Sequence, residues 1–450
     1  MEKWQIMIYF LFIGILLFVG KILKTKVPIL NRIVLPTALL GGVVGLLFSD
    51  VVIPGSYSID VDTMTAIVYH ALAIGFIALT LKSTKNENKR KVWSTGMVIT
   101  STYALQGFIG ILLVLLFFSD KFVGAGLLLP LGFGQGPGLA TSFGSMWNDM
   151  LGGQGIALGA SFSFLGFLFG GTVGVVAINI LSRRKGLKKP EHYDDAPVLR
   201  ETIEVETIKE VSFLDGLTVQ IVVISIIYGL VYLTLYLFDM LLAGSGPIGD
   251  TIFGLLQGFN FIIGIAYALI YKLILRKLKE RGRNVNFMIN DYMIANISSL
   301  AFNFMITGAI LTITIDFLKD YGVLLFVTSL VGGIATLFYV RFITKMVYDQ
   351  HKDEYFVGLF GMLAGVASTG IALLKGLDRN LETPVAEEMV LGSGTAISMA
   401  LPLFGFLMLP SLGYQQSYES LFEWISMLGC LGYVVVMVSI LTIRAKRKKT

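Results

Sequence analysis

The stretch GFGQGPGLATSFGS, residues 132–145, decides how this chain must be read. Five of its fourteen residues are glycine and one is proline. No lipid-facing helix favours that composition, yet the sequence on both sides is strongly apolar. The chain has 450 residues, 55% hydrophobic and 14% charged, with a mean hydropathy of +0.77. Soluble domains carry roughly 25% charged residues. A water-soluble core of this size cannot absorb so much Leu, Ile, Val and Phe, so the composition predicts an all-α polytopic membrane protein.

Apolar runs long enough to cross a bilayer occur at 4–20, 33–49, 63–81, 92–118, 155–181, 213–241, 251–275, 288–315, 322–340, 389–409 and 421–443. Each supplies about 17–25 helical residues, as a hydrocarbon core requires. The first run has no small-residue cleavage site after it and reads as a retained span. Two further apolar stretches, 121–147 and 355–375, are rich in glycine.

Basic residues orient the spans. With the N-terminus outside, the inner loops are 21–32, 82–91, 182–212, 272–287, 341–354, 375–388 and 444–450. They hold 32 of the 35 Lys and Arg, leaving Lys3, Lys121 and Lys319 outside. The net charge of +5 is therefore a topology signal and calls for no nucleic-acid partner. For this parity to hold, each Gly-rich stretch must leave the membrane on the side where it entered. Both are expected to be re-entrant hairpins, the first open to the outside and the second to the cytoplasm. Irregular backbone at membrane depth survives only where protein or a watery cavity satisfies it, so the breaks mark a cavity.

The mixed-charge segment 182–212 divides the chain. Before it, residues 1–181 hold four spans, the hairpin 121–147 and a fifth span. After it, residues 213–409 repeat this order upside down around the hairpin 355–375. Residues 410–450 add one C-terminal span and a basic cytoplasmic tail. Two inverted-topology repeats of five spans, broken at matching positions, are a signature of secondary transporters.

In the first break Gly132, Gly134, Gly136 and Gly138 alternate, with Gln135 and Pro137 between them. Pro137 suits the first turn of a new helix, and the N–H groups and positive dipole end of that helix suit a carboxylate. Thr141 and Ser142 follow as hydroxyl donors. The second break carries Gly365, Ser368, Thr369 and Gly370. The expected substrate site is thus Gly134, Gln135, Gly136, Gly138, Thr141, Ser142, Gly365, Ser368, Thr369 and Gly370. Small residues at such spacing also serve tight helix packing.

In the span NDYMIANISSLAFNFMITGAIL (290–311), Asn296, Ser299 and Asn303 share one helical face. They are candidate oxygen ligands for a desolvated cation, or polar glue between helices. Ionisable groups are nearly absent from the spans. Asp239, Asp316 and Glu423 fall at outer ends and Asp291 at an inner end; only His70 is deep. Proton pumps use carboxylate or histidine relays, so the coupling ion is expected to be Na⁺. Cys430 is the single cysteine, which excludes an internal disulfide, and it reads as a small packed hydrophobe.

These stretches resemble the bacterial sodium/glutamate symporter family. LGFGQGPGLATSFGSMW is similar to that family's GGHGTGAAW stretch, NISSLAFNFMITGAIL to its NVSLSLFLAMALMGL span, and GLFGMLAGVASTGIALLKGL to its GHCGFGLGATPTAIANM stretch. The matched positions are Gly134, Gly136, Gly138 and Ala140; Asn296, Ser298 and Leu300; and Gly365, Thr369 and Ala372. Gln135 stands where the family stretch has histidine, and Pro137 where it has threonine. The resemblance implies a homodimer in the bacterial cytoplasmic membrane, with a scaffold part and a transport part moving in an elevator-like step. It also implies Na⁺-driven uptake of L-glutamate.

Competing readings are a Na⁺ symporter for another organic anion, such as a di- or hydroxycarboxylate, and a channel. An intramembrane protease needs two deep aspartates or a Ser–His pair. The spans offer no deep carboxylate pair, and the sequence identifies no partner for His70. The expectation is a transporter, not an enzyme, with no cofactor.

Overall fold

The computed structural model describes residues 2–28, 30, 35–53, 59–82, 93–184, 216–243, 253, 256–257, 260–283, 285–378 and 381–447. Residues 185–212 of the expected cytoplasmic linker lie outside these, as does the side chain of Ser368.

The described residues form α1 (Glu2–Lys26), α2 (Thr37–Leu47), α3 (Val61–Leu81), α4 (Trp93–Phe117), α5 (Gly124–Pro130), a π-helical turn (Leu131–Gln135) and α6 (Pro137–Met146). These are followed by α7 (Gly155–Arg184), α8 (Gly216–Leu242), α9 (Asn260–Glu280), a 3₁₀ turn (Asn286–Met288), α10 (Asp291–Leu311), α11 (Ile315–Val347), α12 (Lys352–Leu363), α13 (Ala367–Leu374), α14 (Val385–Gly413) and α15 (Glu419–Arg447). Several starts are set by side-chain caps, which satisfy N–H groups that a helix leaves orphaned. Asp60 accepts from Asp62 N at 3.2 Å, Asn290 from Met293 N at 3.0 Å, and Thr314 from Phe317 N at 3.1 Å.

Nine helices among the described residues are long and apolar enough to cross a membrane. Leu, Ile, Phe and Tyr side chains stand exposed along them, among them Phe18, Tyr232, Leu241 and Phe338. The chain is an all-α, multi-pass membrane protein. Two expected spans differ. The second is an eleven-residue helix, α2, starting behind Pro36. The seventh, described only in part, runs past its expected end: α9 continues through Lys272, Arg276, Lys277 and Lys279. Long basic side chains can carry their charge toward water while the backbone stays helical, so a helix outlasts its apolar run.

The helices pack in two groups. In the first, α3 crosses α10, and Ser298 Oγ donates to Gly75 O at 3.0 Å. Helix α2 lies on α10, where Thr307 Oγ1 donates to Ala38 O at 2.9 Å. Helix α9 lies on α3, where Lys272 Nζ donates to Thr80 O at 3.0 Å and Lys82 O at 2.8 Å. Helices α1 and α8 flank α2 and α9 and also reach α10 and α3, respectively. The second group holds α4–α7 and α11–α15, with α4 against α5, α11, α12, α14 and α15. The two groups meet where α3 and α10 touch α6 and α7.

Within the second group the chain breaks twice. From Gly126, level with Gly110 on α4, it runs along α4 to Gly134, level with Tyr103. It then reverses, and α6 runs beside α7, with Ala140 against Gly159 and Gly144 against Gly155. The two ends of the segment return to each other: the rings of Phe122 and Trp147 are 5.8 Å apart. The second segment also folds back, because α12 and α13 lie face to face. A Cβ on Gly370 would be 2.4 Å from Gly358 O.

The basic helix ends gather at one end of the molecule. The bond from Lys272 ties the end of α9 to that of α3, and Asn290 N donates to Gln220 Oε1 at 3.3 Å, tying α10 to α8. Arg341 at the end of α11 pairs with Asp353 of α12 at 2.6 Å. At the opposite end Asp60 N donates to Tyr9 OH at 2.8 Å, and Gln154 Nε2 to Asp320 at 3.1 Å.

Candidate functional site

The two chain breaks meet. Gly136 has φ +82°, a left-handed value that a glycine adopts without steric cost. A Cβ there would stand 2.7 Å from Val366 Cγ1, so the turn before α6 touches the residue before α13. Gly166 on α7 lies between the same two breaks. A Cβ on it would be 2.9 Å from Ala364 O, 3.0 Å from Phe133 Cδ1 and 3.2 Å from Phe133 Cα.

Helix α4 pins both breaks from the other side. Tyr103 OH donates to Gly134 O at 2.9 Å. One turn later, Gln106 Nε2 donates to Leu363 O at 3.0 Å and to Thr336 Oγ1 of α11 at 2.9 Å. Both residues are buried. Spacing alone does not single them out. A signal does exist: a lone Gln in the middle of an apolar span carries a polar group that must be satisfied.

Two helix N-termini therefore open at one point. In α6 the capping residue is Gly136, and Pro137 at the first position has no N–H. Ala140 N is the first to donate back, to Gly136 O at 3.3 Å. In α13 Val366 caps with extended backbone, and the first donor back is Gly370 N, to Val366 O at 3.1 Å. The intervening N–H groups lack intrahelical acceptors, and both dipoles present their positive ends. Neither break contains Lys or Arg.

The expected site residues divide. Gly134, Gly136 and Gly365 lie at the junction, with Gly365 beside Phe167 and Thr369. Gln135 is half-buried and lines a narrow crevice with Tyr103, Pro130, Leu131, Leu403 and Phe404. Thr369 is buried one turn into α13. Gly138 faces the other helix group, 3.2 Å (at a built Cβ) from Phe76 and 3.7 Å from Phe302. Thr141 and Ser142 spend their hydroxyl protons within α6, donating to Pro137 O at 2.6 Å and Gly138 O at 2.7 Å. Thr141 Oγ1 also lies 3.2 Å from Met305 Sδ on α10. Gly370 is a packing residue against Gly358 and Met362.

The structure does not bring Asn296, Ser299 and Asn303 to the junction. Asn296 and Ser299 are exposed on α10, and Asn303 is half-buried. None of the three is hydrogen-bonded to either break. Their buried neighbour Ser298 is bonded to Gly75 instead. His70 does have a partner: its Nδ1 lies 2.5 Å from Tyr228 OH on α8, in the first helix group and away from the breaks. Among the described residues, no group of three or more His, Cys, Asp and Glu could hold a metal ion.

No protein-family model, curated protein or solved structure matches this chain.

Proposed function

We propose that this protein is a secondary active transporter that couples Na⁺ entry to uptake of glutamate, or of a closely related small anionic amino acid. The observation that carries the reading is the meeting of two broken helices at Gly136 and Val366. Each contributes an N-terminus with unpaired N–H groups, and together they offer a carboxylate two converging positive dipole ends. The lack of Lys and Arg in both breaks leaves recognition to backbone N–H groups and hydroxyls.

The packing supports two inverted repeats. If α1–α7 correspond in order to α8–α14, each hairpin counting as one element, then α2 on α10 corresponds to α9 on α3. Likewise α1 on α10 corresponds to α8 on α3, and all four pairs are present. The crossings of α3 with α10 and of α4 with α11 map onto themselves. On this reading the segments that turn at Gly136 and at Ala364–Val366 are re-entrant hairpins entering from opposite sides. The group holding both breaks is the moving part, and the group built on α3 and α10 is the scaffold, as alternating access by an elevator step requires. The clustered basic ends are cytoplasmic, which puts the N-terminus outside the bacterial cytoplasmic membrane and the C-terminus inside. We assign a homodimer on the family resemblance.

The test is uptake of radiolabelled L-glutamate into proteoliposomes with and without an inward Na⁺ gradient. Saturable uptake only with Na⁺ supports the reading. Na⁺-dependent uptake of a radiolabelled di- or hydroxycarboxylate, with no glutamate uptake, replaces the substrate and keeps the symporter. Unsaturable flux overturns it in favour of a channel.

A further inference from the structure

Helix α14 carries two prolines inside it, Pro402 and Pro410. A proline within a helix has no N–H for the carbonyl four residues back, and its ring crowds that carbonyl. Phe406 O therefore lacks the donor that position 410 would supply. Met399 lies in the turn that Pro402 crowds. Inside a bilayer, a carbonyl freed in this way needs a donor from elsewhere in the protein.

The donors come from α15, the span beyond the two proposed repeats. Ser426 Oγ donates to Phe406 O at 2.7 Å, and Tyr433 OH donates to Met399 O. Ser426 is fully buried. A hydroxyl in a helix can satisfy itself on the carbonyl four residues back. Thr442 of the same helix does so, donating to Val438 O at 2.7 Å. Ser426 instead reaches across to the carbonyl that Pro410 leaves open. The two donors stand seven residues apart on one face of α15, and their acceptors stand seven apart on α14. Between them a Cβ on Gly429 would be 2.5 Å from Phe406, and Cys430 lies 3.4 Å from a Cβ built on Gly107 of α4.

The stretch of α14 held in this way is the wall of the first break. Leu403, Phe404 and Leu407 line the narrow crevice with Leu131 and Gln135 of the π-helical turn. Phe404 also stacks on Phe143 of α6, with ring centroids 6.0 Å apart. One segment of α14 therefore touches the chain on both sides of Gly136.

We propose that Ser426 and Tyr433 are positioning residues for the first break: by bonding the carbonyls beside Pro410 and Pro402, they hold the α14 wall against the π-helical turn and α6. The extra span then belongs to the group that holds both breaks and moves with it. Its effect on a substrate rests on the transport reading, whereas the clamp on α14 does not.

The test is thiol labelling of the purified full-length protein in detergent, in a Cys430→Ala background. Leu407→Cys places a thiol in the crevice wall and Ile178→Cys places one on α7, and both positions are buried. Ser426→Ala should speed N-ethylmaleimide labelling at position 407 about tenfold, the factor in local opening that one buried hydrogen bond sets, and leave position 178 unchanged. Pro410→Ala returns an N–H to Phe406 O, so in that background Ser426→Ala should change labelling at 407 by less than about twofold. Tyr433→Phe should act in the same direction as Ser426→Ala and needs no change at Pro410. Equal acceleration at 407 and 178 would mean general loosening and overturns the proposal. So does a rate at 407 that neither variant changes, or an effect of Ser426→Ala that is the same with and without Pro410. The labelling uses no substrate, so a protein that takes up no glutamate still shows the clamp. Where uptake is present, Ser426→Ala should raise the substrate half-saturation; faster labelling with unchanged half-saturation would overturn the positioning role.

Discussion

Tyr103 and Gln106 stand one turn apart on α4, and each donates to a different chain break: Tyr103 to Gly134 O and Gln106 to Leu363 O. One helix face thereby fixes the relative position of two segments more than 200 residues apart in the chain. Tyr103→Phe removes only the hydroxyl and leaves the Gly134 carbonyl buried without that donor. The expected loss is about 1–3 kcal/mol of stability, read as a lower unfolding temperature in detergent. Substrate half-saturation should rise as well, since the π turn before Gly136 loses its anchor. Unchanged uptake kinetics would show that the bond serves stability alone.

Gly136→Ala meets two obstacles, a φ of +82° and a Cβ 2.7 Å from Val366 Cγ1. Strain of this kind costs of order 1–3 kcal/mol. Val366→Ala removes the colliding methyl but not the backbone strain. The double variant should therefore recover part of the lost stability, with a coupling energy within about 0.5–3 kcal/mol. Purely additive effects would mean that the two breaks are not in contact.

Gly166→Ala should separate the breaks, because its new methyl would crowd both Ala364 O and Phe133. Gly229→Ala on α8 is the matched control, since nothing lies within 4 Å of its Cβ position. Relief from glycine in a helix favours the control by up to about 1 kcal/mol. Transport should fall sharply in the first variant and persist in the second.

The clustered basic ends predict a labelling pattern. In a Cys430→Ala background, Ser119→Cys and Glu280→Cys each introduce an exposed thiol, at opposite ends of the molecule. A membrane-impermeant maleimide should label position 119 in intact cells, and position 280 only after permeabilisation. The reverse pattern would invert the orientation.

The breaks themselves were legible because their cause is local. Gly132, Gly134, Gly136 and Gly138 with Pro137 cannot continue an unbroken helix, and the chain does turn at Gly136. Most spans were equally legible, because about twenty apolar residues in a row have one low-energy arrangement in a bilayer. The face holding Asn296, Ser299 and Asn303 was read correctly as one face. Its direction was not legible, since helical periodicity says which residues share a side but not what that side meets. Thr141 and Ser142 were expected as free donors. In a helix a hydroxyl can satisfy itself on the carbonyl four residues back, and both do so.

By itself the sequence determined that this chain is helical, crosses the membrane many times, breaks twice and gathers most of its basic residues between its apolar runs. All of these follow from composition and short-range chemistry. Only the tertiary structure decided that the breaks meet at Gly136 and Val366, that Gly166 lies between them, and that Gln106 faces the end of α12. The reason is physical: Gln106 bonds to partners 230 and 257 residues away. Nothing in the local pattern STYALQGFIG distinguishes a glutamine that joins two continuous helices from one that also holds the end of a broken one.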